Sequence, residues 1–161
     1  MENKKIEIFP ATVEDLEAIA EIESLSGLSR WGTESYKSEL AKKENLFYVA
    51  GSEEKVVGFV LASLITPDVE IFNIAVLPDL RKQGIGRKLF ETILQAAADR
   101  GCRECWLEVR ESNQAARRFY EKLSFQIIGR RKNYYRFPVE DALLLRYIIV
   151  NEPCLKKKFE L

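Results

Sequence analysis

Arg81-Lys82-Gln83-Gly84-Ile85-Gly86-Arg87 stands where the hydrophobic period of the chain changes. Upstream, residues 69–77 read as a strand that Pro78 ends. Downstream, from Gly86 to about Arg100, the apolar residues Leu89, Phe90, Ile93, Leu94 and Ala97 recur at helical spacing, and Gly101 stops the pattern. The segment is therefore a glycine-bearing turn from a strand into a helix. Its glycines let the backbone turn tightly and let a ligand approach closely. Amides at the start of a helix point together at an anion, with the helix dipole in support. Arg81, Lys82 and Arg87 add positive charge. Such a turn suits a diphosphate. It is not a nucleotide P-loop, which needs Gly-Lys-Ser/Thr, because Arg87-Lys88-Leu89 follows Gly86. A dinucleotide fingerprint would need a third glycine, which is missing. On this segment alone, a strand–helix turn with glycines for tightness remains the alternative.

Working outward, residues 6–9 read as a short first strand. Thr12 is expected to cap a helix, with Asp15 three residues on and Leu16, Ile19, Ala20 and Ile22 in its apolar stripe. A second helix is expected from near Thr33, carrying Tyr36 and Leu40, with Gly27, Trp31 and Gly32 in the connection. Residues 46–51 and 56–66 are apolar runs joined by Ser52-Glu53-Glu54-Lys55, a hairpin pattern. Pro67-Asp68 turns the chain into the strand over 69–77. After the helix, residues 105–109 read as a buried strand. Ser112 is expected to cap a last helix with Ala116, Phe119, Tyr120 and Leu123 on one face. Residues 125–129 and 143–150 are expected as the closing strands, separated by a polar, tyrosine-bearing loop. This order predicts an α/β layered domain around one mixed sheet. No repeat or second domain is apparent, so residues 1–161 are expected as one domain, with a C-terminal tail after about residue 151.

Composition narrows the chemistry. The 161 residues are 47% hydrophobic, enough for a core. Lys plus Arg and Asp plus Glu are 25 each, so no global field favours nucleic acid, and Lys156-Lys157-Lys158 reads as a solvated terminus. No signal-peptide pattern or bilayer-spanning run is found, and the protein is expected in the cytoplasm, away from membranes, as a monomer or weak dimer. Three cysteines do not make a disulfide framework. Cys102 and Cys105 have C-x-x-C spacing, but there is no second ligand pair. On a strand, an offset of three also sends side chains to opposite faces. They are read as structural thiols, and no metal is expected. The chain has no histidine, which removes Ser-His and Cys-His nucleophile systems. A general base must then be a carboxylate, a thiolate, a lysine or a group acting through water.

Against that background, Arg81-x-x-Gly84-x-Gly86 resembles the pyrophosphate-binding loop of the GNAT acetyltransferases. Phe72-Asn73-Ile74-Ala75-Val76-Leu77-Pro78 resembles the strand these enzymes lay along the pantetheine arm of coenzyme A. Trp106-Leu107-Glu108-Val109-Arg110-Glu111-Ser112-Asn113 and Phe119-Tyr120-Glu121-Lys122-Leu123-Ser124-Phe125 resemble the closing strand–helix motif. With Arg131-Lys132-Asn133-Tyr134-Tyr135 and Glu140-Asp141-Ala142, the likeness narrows to the bacterial ribosomal-protein-alanine N-acetyltransferases. It departs at Ser124, where the family has glycine, at Arg30, where it has proline, and at Gly32, where it has serine.

The resemblance implies a mixed, mostly antiparallel central sheet with helices on both faces. It implies acetyl-CoA as cosubstrate and a protein N-terminus, that of a ribosomal protein, as acceptor. It makes Glu108 the base and Tyr120 the acid. Glu108 lies in an otherwise apolar strand, where desolvation favours proton uptake; its alternative is an ion pair with Arg110 or Arg103. Tyr120 lies on the inner face of its helix, and its alternative is a core tyrosine. Cofactor contacts are implied for Ile74, Ala75 and Val76 through the backbone, for Arg81, Lys82, Gln83, Gly84, Ile85, Gly86 and Arg87 in the loop, and for Asn113 and Tyr120. Substrate contacts are implied for Trp31, Glu70, Tyr134 and Tyr135; packing, or exposure for Glu70, stands beside each. A GNAT enzyme for a small amine and a non-catalytic coenzyme A-binding module are the competing functions.

Overall fold

The computed structural model describes residues 4–28 and 30–149. Residues 150–161, with the basic triplet, Cys154 and the expected tail, lie outside the described residues. In chain order the elements are β1 (Glu7–Pro10), α1 (Leu16–Leu25), α2 (Gly32–Leu40), β2 (Asn45–Ser52), β3 (Lys55–Ile65), β4 (Asp68–Val76), α3 (Ile85–Asp99), β5 (Glu104–Arg110), α4 (Gln114–Lys122), β6 (Gln126–Arg136) and β7 (Val139–Ile148). The strands follow the order β1-β2-β3-β4-β5-β7-β6. β4 and β5 run parallel, whereas β1–β2, β2–β3, β5–β7 and β6–β7 are antiparallel. The expected mixed, mostly antiparallel sheet is thus observed. The chain divides into two compact units, one of residues 1–64 and 71–96, the other of residues 65–70 and 97–161.

The first unit is built on the α1 stripe. Leu16, Ile19 and Ile22 are buried with Tyr36, Phe47, Val49, Phe59 and Leu61. Asp15 accepts the Thr12 N–H at 2.8 Å, and a single 3-10 turn, Val13–Asp15, leads into α1. At the far end of α1, Glu23 is only 2% exposed. Its carboxylate accepts the backbone N–H of Trp31 at 3.0 Å and of Gly32 at 3.3 Å, and also the Tyr36 hydroxyl. Asn73 Nδ2 donates to that hydroxyl at 2.8 Å. A buried carboxylate must be satisfied by such donors, and removing one costs several kcal/mol. Here it anchors the start of α2, where an anion is favoured. Burial and the Glu23 carboxylate drive the Tyr36 pKa far above the ordinary tyrosine range.

In the second unit, β5 alternates cleanly. Cys105, Leu107 and Val109 are buried, and Glu104, Trp106, Glu108 and Arg110 occupy the half-buried opposite face. Cys102 precedes the strand, so strand alternation does not apply to it. Both thiols are buried and free, and Cys102 Sγ lies 3.5 Å from the Asp68 carbonyl. No group of three or more His, Cys, Asp and Glu residues suited to a metal occurs among the described residues.

Two expectations are corrected here. The cap of α4 is Asn113, not Ser112: its side-chain oxygen accepts the Ala116 N–H at 3.1 Å. The reason is reach, since a cap residue's side chain bonds the amide three residues ahead. The polar, tyrosine-bearing segment is not a loop. β6 continues to Arg136 and turns directly into β7 at Phe137-Pro138. Polar residues pair as well as apolar ones when the strand lies at a sheet edge, and β6 is exposed along most of its length. The Asp141 carboxylate holds this hairpin by accepting the Asn133 N–H at 2.8 Å and pairing with Arg130 at 3.0 Å. Asn133 has φ 52°, within a register shift between Arg131 and Tyr135.

Ser124 also has a left-handed backbone, with φ 75°. It follows the end of α4, with its N–H bonded to the Glu121 carbonyl at 2.9 Å and the Phe125 N–H to the Tyr120 carbonyl at 3.0 Å. Glycine is the residue this helix ending favours. A serine there carries the left-handed cost of roughly 1–2 kcal/mol, partly offset by the greater chain entropy glycine loses on folding. Ser124→Gly is therefore expected to stabilise the protein by about 0.5–1 kcal/mol, read as a raised midpoint in urea unfolding; an unchanged or lowered midpoint contradicts the strain.

Candidate active site

The glycine loop belongs to the first unit. Lys82 and Gly84 both have left-handed backbones, with φ 62° and 84°. They turn the chain from the short 3-10 segment Pro78–Leu80 into α3. The first helical hydrogen bond runs from the Lys88 N–H to the Gly84 carbonyl at 3.1 Å. The amides of Ile85, Gly86 and Arg87 thus precede the helical ladder, as helix geometry requires. A Cβ at Gly84 would meet nothing within 4 Å, so the loop is open at that point. Lys82, Gln83 and Arg87 are exposed, and Arg87 pairs weakly with Glu91 at 3.9 Å. This arrangement fits an anion with more than one charged oxygen.

Arg81 is placed differently from its loop neighbours. Its Nε donates to the Val76 carbonyl at 3.0 Å and a terminal nitrogen donates to Ser26 Oγ at 3.2 Å. It is a strut that ties the loop to the end of β4 and to the turn after α1. Within β4, Ile74 is half-buried and Ala75 and Val76 are buried. Gly58 of β3 allows the close approach there, since a Cβ on it would lie 3.0 Å from the Ala75 carbonyl oxygen. Trp31 stacks on Tyr36 with ring centroids 5.6 Å apart and lies 5.8 Å from Phe72. Its contacts are those of a packing residue at the start of α2.

The second unit brings together Glu70, Glu108, Arg131, Tyr134 and Tyr135. The parallel register sets Glu70 opposite Trp106, which places Glu108 two residues along on the same face. Glu108 Oε1 lies 2.6 Å from Arg131 Nε. This is the ion pair expected of Glu108 as an alternative role, but with Arg131 rather than Arg110 or Arg103. Arg110 instead meets Glu140 at 3.4 Å and lies 4.0 Å above the Tyr135 ring. Burial and the Glu108 charge raise the Glu70 pKa, with Arg131 opposing. A hydrogen bond to Glu108, then burial, push the Tyr134 hydroxyl up to about 12. A raised tyrosine pKa means the folded state prefers the protonated form. What this hydrogen bond contributes is therefore complete below the ordinary tyrosine pKa near ~10 and is lost as pH rises towards that higher value.

Tyr120 is buried on the inner side of α4, between Phe119 at 5.2 Å and Phe125 at 5.4 Å. Burial drives its pKa well above the ordinary range, with the charges of Cys105 and Tyr135 adding to the shift. Its hydroxyl therefore keeps its proton and can serve as a donor. Tyr135 is the electrostatic neighbour of both Tyr120 and Glu108. Asn113 spends its carbonyl oxygen on the α4 cap, which leaves its NH2 group as the part suited to a ligand carbonyl.

Sequence reasoning missed Arg131 as the partner of Glu108, and also the hub at Glu23. For Arg131 the signal was faint: a strand-long hairpin would have set it across β7 from β5, but the segment read as a loop. For Glu23, a lone acid on an apolar helix stripe, directly after Ile22, was the available clue.

The sequence and the fold both have known relatives. The family model described as the acetyltransferase (GNAT) family matches residues 16–125. The ribosomal protein bS18-alanine N-acetyltransferase of Escherichia coli strain K12 is 35% identical over 133 residues, covering 81% of this chain and 89% of that protein. A crystal structure of the ribosomal-protein-S18-alanine N-acetyltransferase from Escherichia coli aligns with a TM-score of 0.80 at 32% identity, covering 90% of this chain and 94% of that one. Ard1 from Thermoplasma volcanium aligns with a TM-score of 0.84 at 25% identity, covering 90% and 98%. The chain belongs to the acetyltransferase (GNAT) family and is an N-acetyltransferase.

Proposed function

We propose that the enzyme transfers the acetyl group of acetyl-CoA to the N-terminal α-amine of a protein, by direct attack in a ternary complex. A cytoplasmic ribosomal protein with N-terminal alanine is the substrate that the bS18-alanine relatives suggest. The observation that carries the reading is the half-buried pair Glu70 and Glu108 beside the Tyr134 hydroxyl. It is a seat for an amine, which arrives as a cation and must lose a proton before it attacks. A peptide α-amine titrates near ~8, against ~10.4 for a lysine side chain. A carboxylate acting directly or through one water suffices for the first and is a poor base for the second.

In this reading the amides of Ile85, Gly86 and Arg87, with Lys82 and Gln83, take the diphosphate of acetyl-CoA. Ile74, Ala75 and Val76 offer their backbone to the pantetheine amides, as an added strand would pair. Arg81 holds that strand end and the loop in register. Glu108 accepts the amine proton, and Tyr120, protonated at neutral pH, supplies one to the departing thiolate. Glu70 adds the second negative charge that draws the ammonium in. Tyr134 and Tyr135, on the strand β6, line the acceptor side, and Trp31 is proposed as a further substrate contact from the start of α2.

Incubation with acetyl-CoA and a peptide series tests the assignment. A peptide with free N-terminal alanine is expected to be acetylated far better than the same peptide blocked at its N-terminus and carrying lysine. Preference for a free polyamine or amino acid would favour the small-amine reading, and no transfer to any amine would favour a binding module. Gly84→Glu places a side chain at a left-handed position and a negative charge in the anion seat; it is expected to abolish acetyl-CoA binding in calorimetry without unfolding the protein. Undiminished binding by the folded variant would displace the cofactor from this loop. Tyr120→Phe keeps the ring and loses the donor, so kcat is expected to fall about ten- to a thousandfold with acetyl-CoA affinity little changed. A fall in affinity without loss of turnover would make Tyr120 a cofactor-positioning residue. Glu108→Gln is expected to lose most activity near neutral pH and regain part of it as pH rises through the amine's own pKa near ~8. A profile with no such recovery would remove Glu108 as base.

A further inference from the structure

We propose that Arg131 is a built-in competitor of the substrate: its guanidinium occupies the Glu70–Glu108 seat in the free enzyme and must leave it for an amine to enter, so that Arg131 sets the KM for the acceptor. The inference rests on the proposed amine transfer, and deepens it by naming a specificity-determining residue.

The geometry is that of a filled seat. Glu70 and Glu108 share one face through the β4–β5 register. Two adjacent carboxylates demand a cation, and the charge of Glu108 is felt at Glu70, where Arg131 opposes it. That cation is supplied from within: Arg131 Nε meets Glu108 Oε1 at 2.6 Å. The two side chains differ in exposure. That of Glu108 is 15% accessible, whereas that of Arg131 is 55% accessible. The guanidinium therefore lies on the solvent side of the carboxylate it covers. Tyr134 reinforces the cover: its hydroxyl bonds Glu108, and its ring centroid lies 5.9 Å from the Arg131 guanidinium carbon.

An ammonium and a guanidinium compete for the same carboxylate lone pairs, because both need charge-assisted acceptors at one place. An ion pair whose cation is more than half exposed is weaker than a fully buried one and can open from that end. The anchor is equally suited to release. Arg131 pairs with Ala142 but is the last residue before the register shift that ends at Tyr135, with left-handed Asn133 between them, so the regular ladder holds it on one side only. A binding-competent state that is only partly populated raises the apparent dissociation constant by the inverse of its population. Removing the cover removes that factor for every cationic acceptor, while the saturated enzyme turns over as before.

Arg131→Gln, in the full-length protein, is expected to lower the KM for a free N-terminal alanine peptide about three- to tenfold with kcat changed less than about twofold. Arg131→Lys keeps a cation on the seat and is expected to return KM close to that of the unmodified enzyme, which a merely structural role would not require. A KM that rises in Arg131→Gln, or does not move, overturns the proposal. Displacement is also visible without turnover. With 15N-labelled arginine, the Nε–H resonance that Arg131→Lys deletes is expected to shift when the free-amine peptide is added and to stay in place with the N-acetylated peptide. If neither peptide moves it, the proposal fails even where acetylation proceeds. If the free-amine peptide alone moves it while no acetylation is seen with any amine, the competition stands and the proposed transfer reaction falls.

Discussion

A helix begins with backbone amides that have no carbonyl to bind, and in α3 these are the amides of Ile85, Gly86 and Arg87. Much of the first unit serves to hold them in place. Leu89, Phe90, Ile93 and Ala97 bury the inner face of α3 and fix its axis. Left-handed Lys82 and Gly84 bring the chain into the helix, and Arg81 ties that turn to Val76 and Ser26. The strut and the anion seat are consecutive parts of one short segment. A cation read from the sequence as free to meet phosphate is spent on backbone positioning, which leaves the amides, the helix dipole and the exposed Lys82 and Arg87 to meet an anion.

The second unit works with side-chain charge. No histidine is available, so acid–base chemistry falls to carboxylates and tyrosines whose surroundings set them apart. Tyr120 is buried and keeps its proton. Glu108 is half-buried and held by Arg131 and Tyr134. Around them, Arg110 with Glu140, and Arg130 with Glu111 and Asp141, fasten the β6–β7 hairpin. The Glu140 pKa is lowered by its hydrogen bonds to Ser112 and by Arg110, and that of Asp141 by the Asn133 N–H and Arg130. Both stay charged at neutral pH and keep the hairpin latched.

Where the hydrophobic period was strong, the sequence was enough. The stripe of α3, the strand β5 and the hairpin of β2 and β3 follow from the sequence pattern, with bounds shifted by only a residue or two, although the alternating burial of β5 came with the structure. Glu108 and Tyr120 were legible as candidates from the motif around them. The hairpin over β6 and β7 was not, because an exposed edge strand rich in Arg, Lys, Asn and Tyr lacks the alternation that marks a half-buried strand. That misreading hid Arg131, since a loop gives no register and so no way to see that its side chain lies across β7 from β5. Ser124 shows the reverse case: the departure from glycine was visible in the sequence, and its meaning came only with the left-handed φ. Glu23 left a clue as a lone acid on an apolar stripe, but only the tertiary donors Trp31, Gly32 and Tyr36 explain it.

The proposed reaction needs two separate seats, one for an anion at the start of α3 and one for an amine at Glu70 and Glu108, and no group that carries the acetyl itself. Initial-rate kinetics with acetyl-CoA and an N-terminal alanine peptide varied together tests that division most directly. Direct transfer requires both substrates on the enzyme at once, and double-reciprocal plots are predicted to intersect. Parallel lines, with an acetyl group found on the protein when the peptide is withheld, would contradict it.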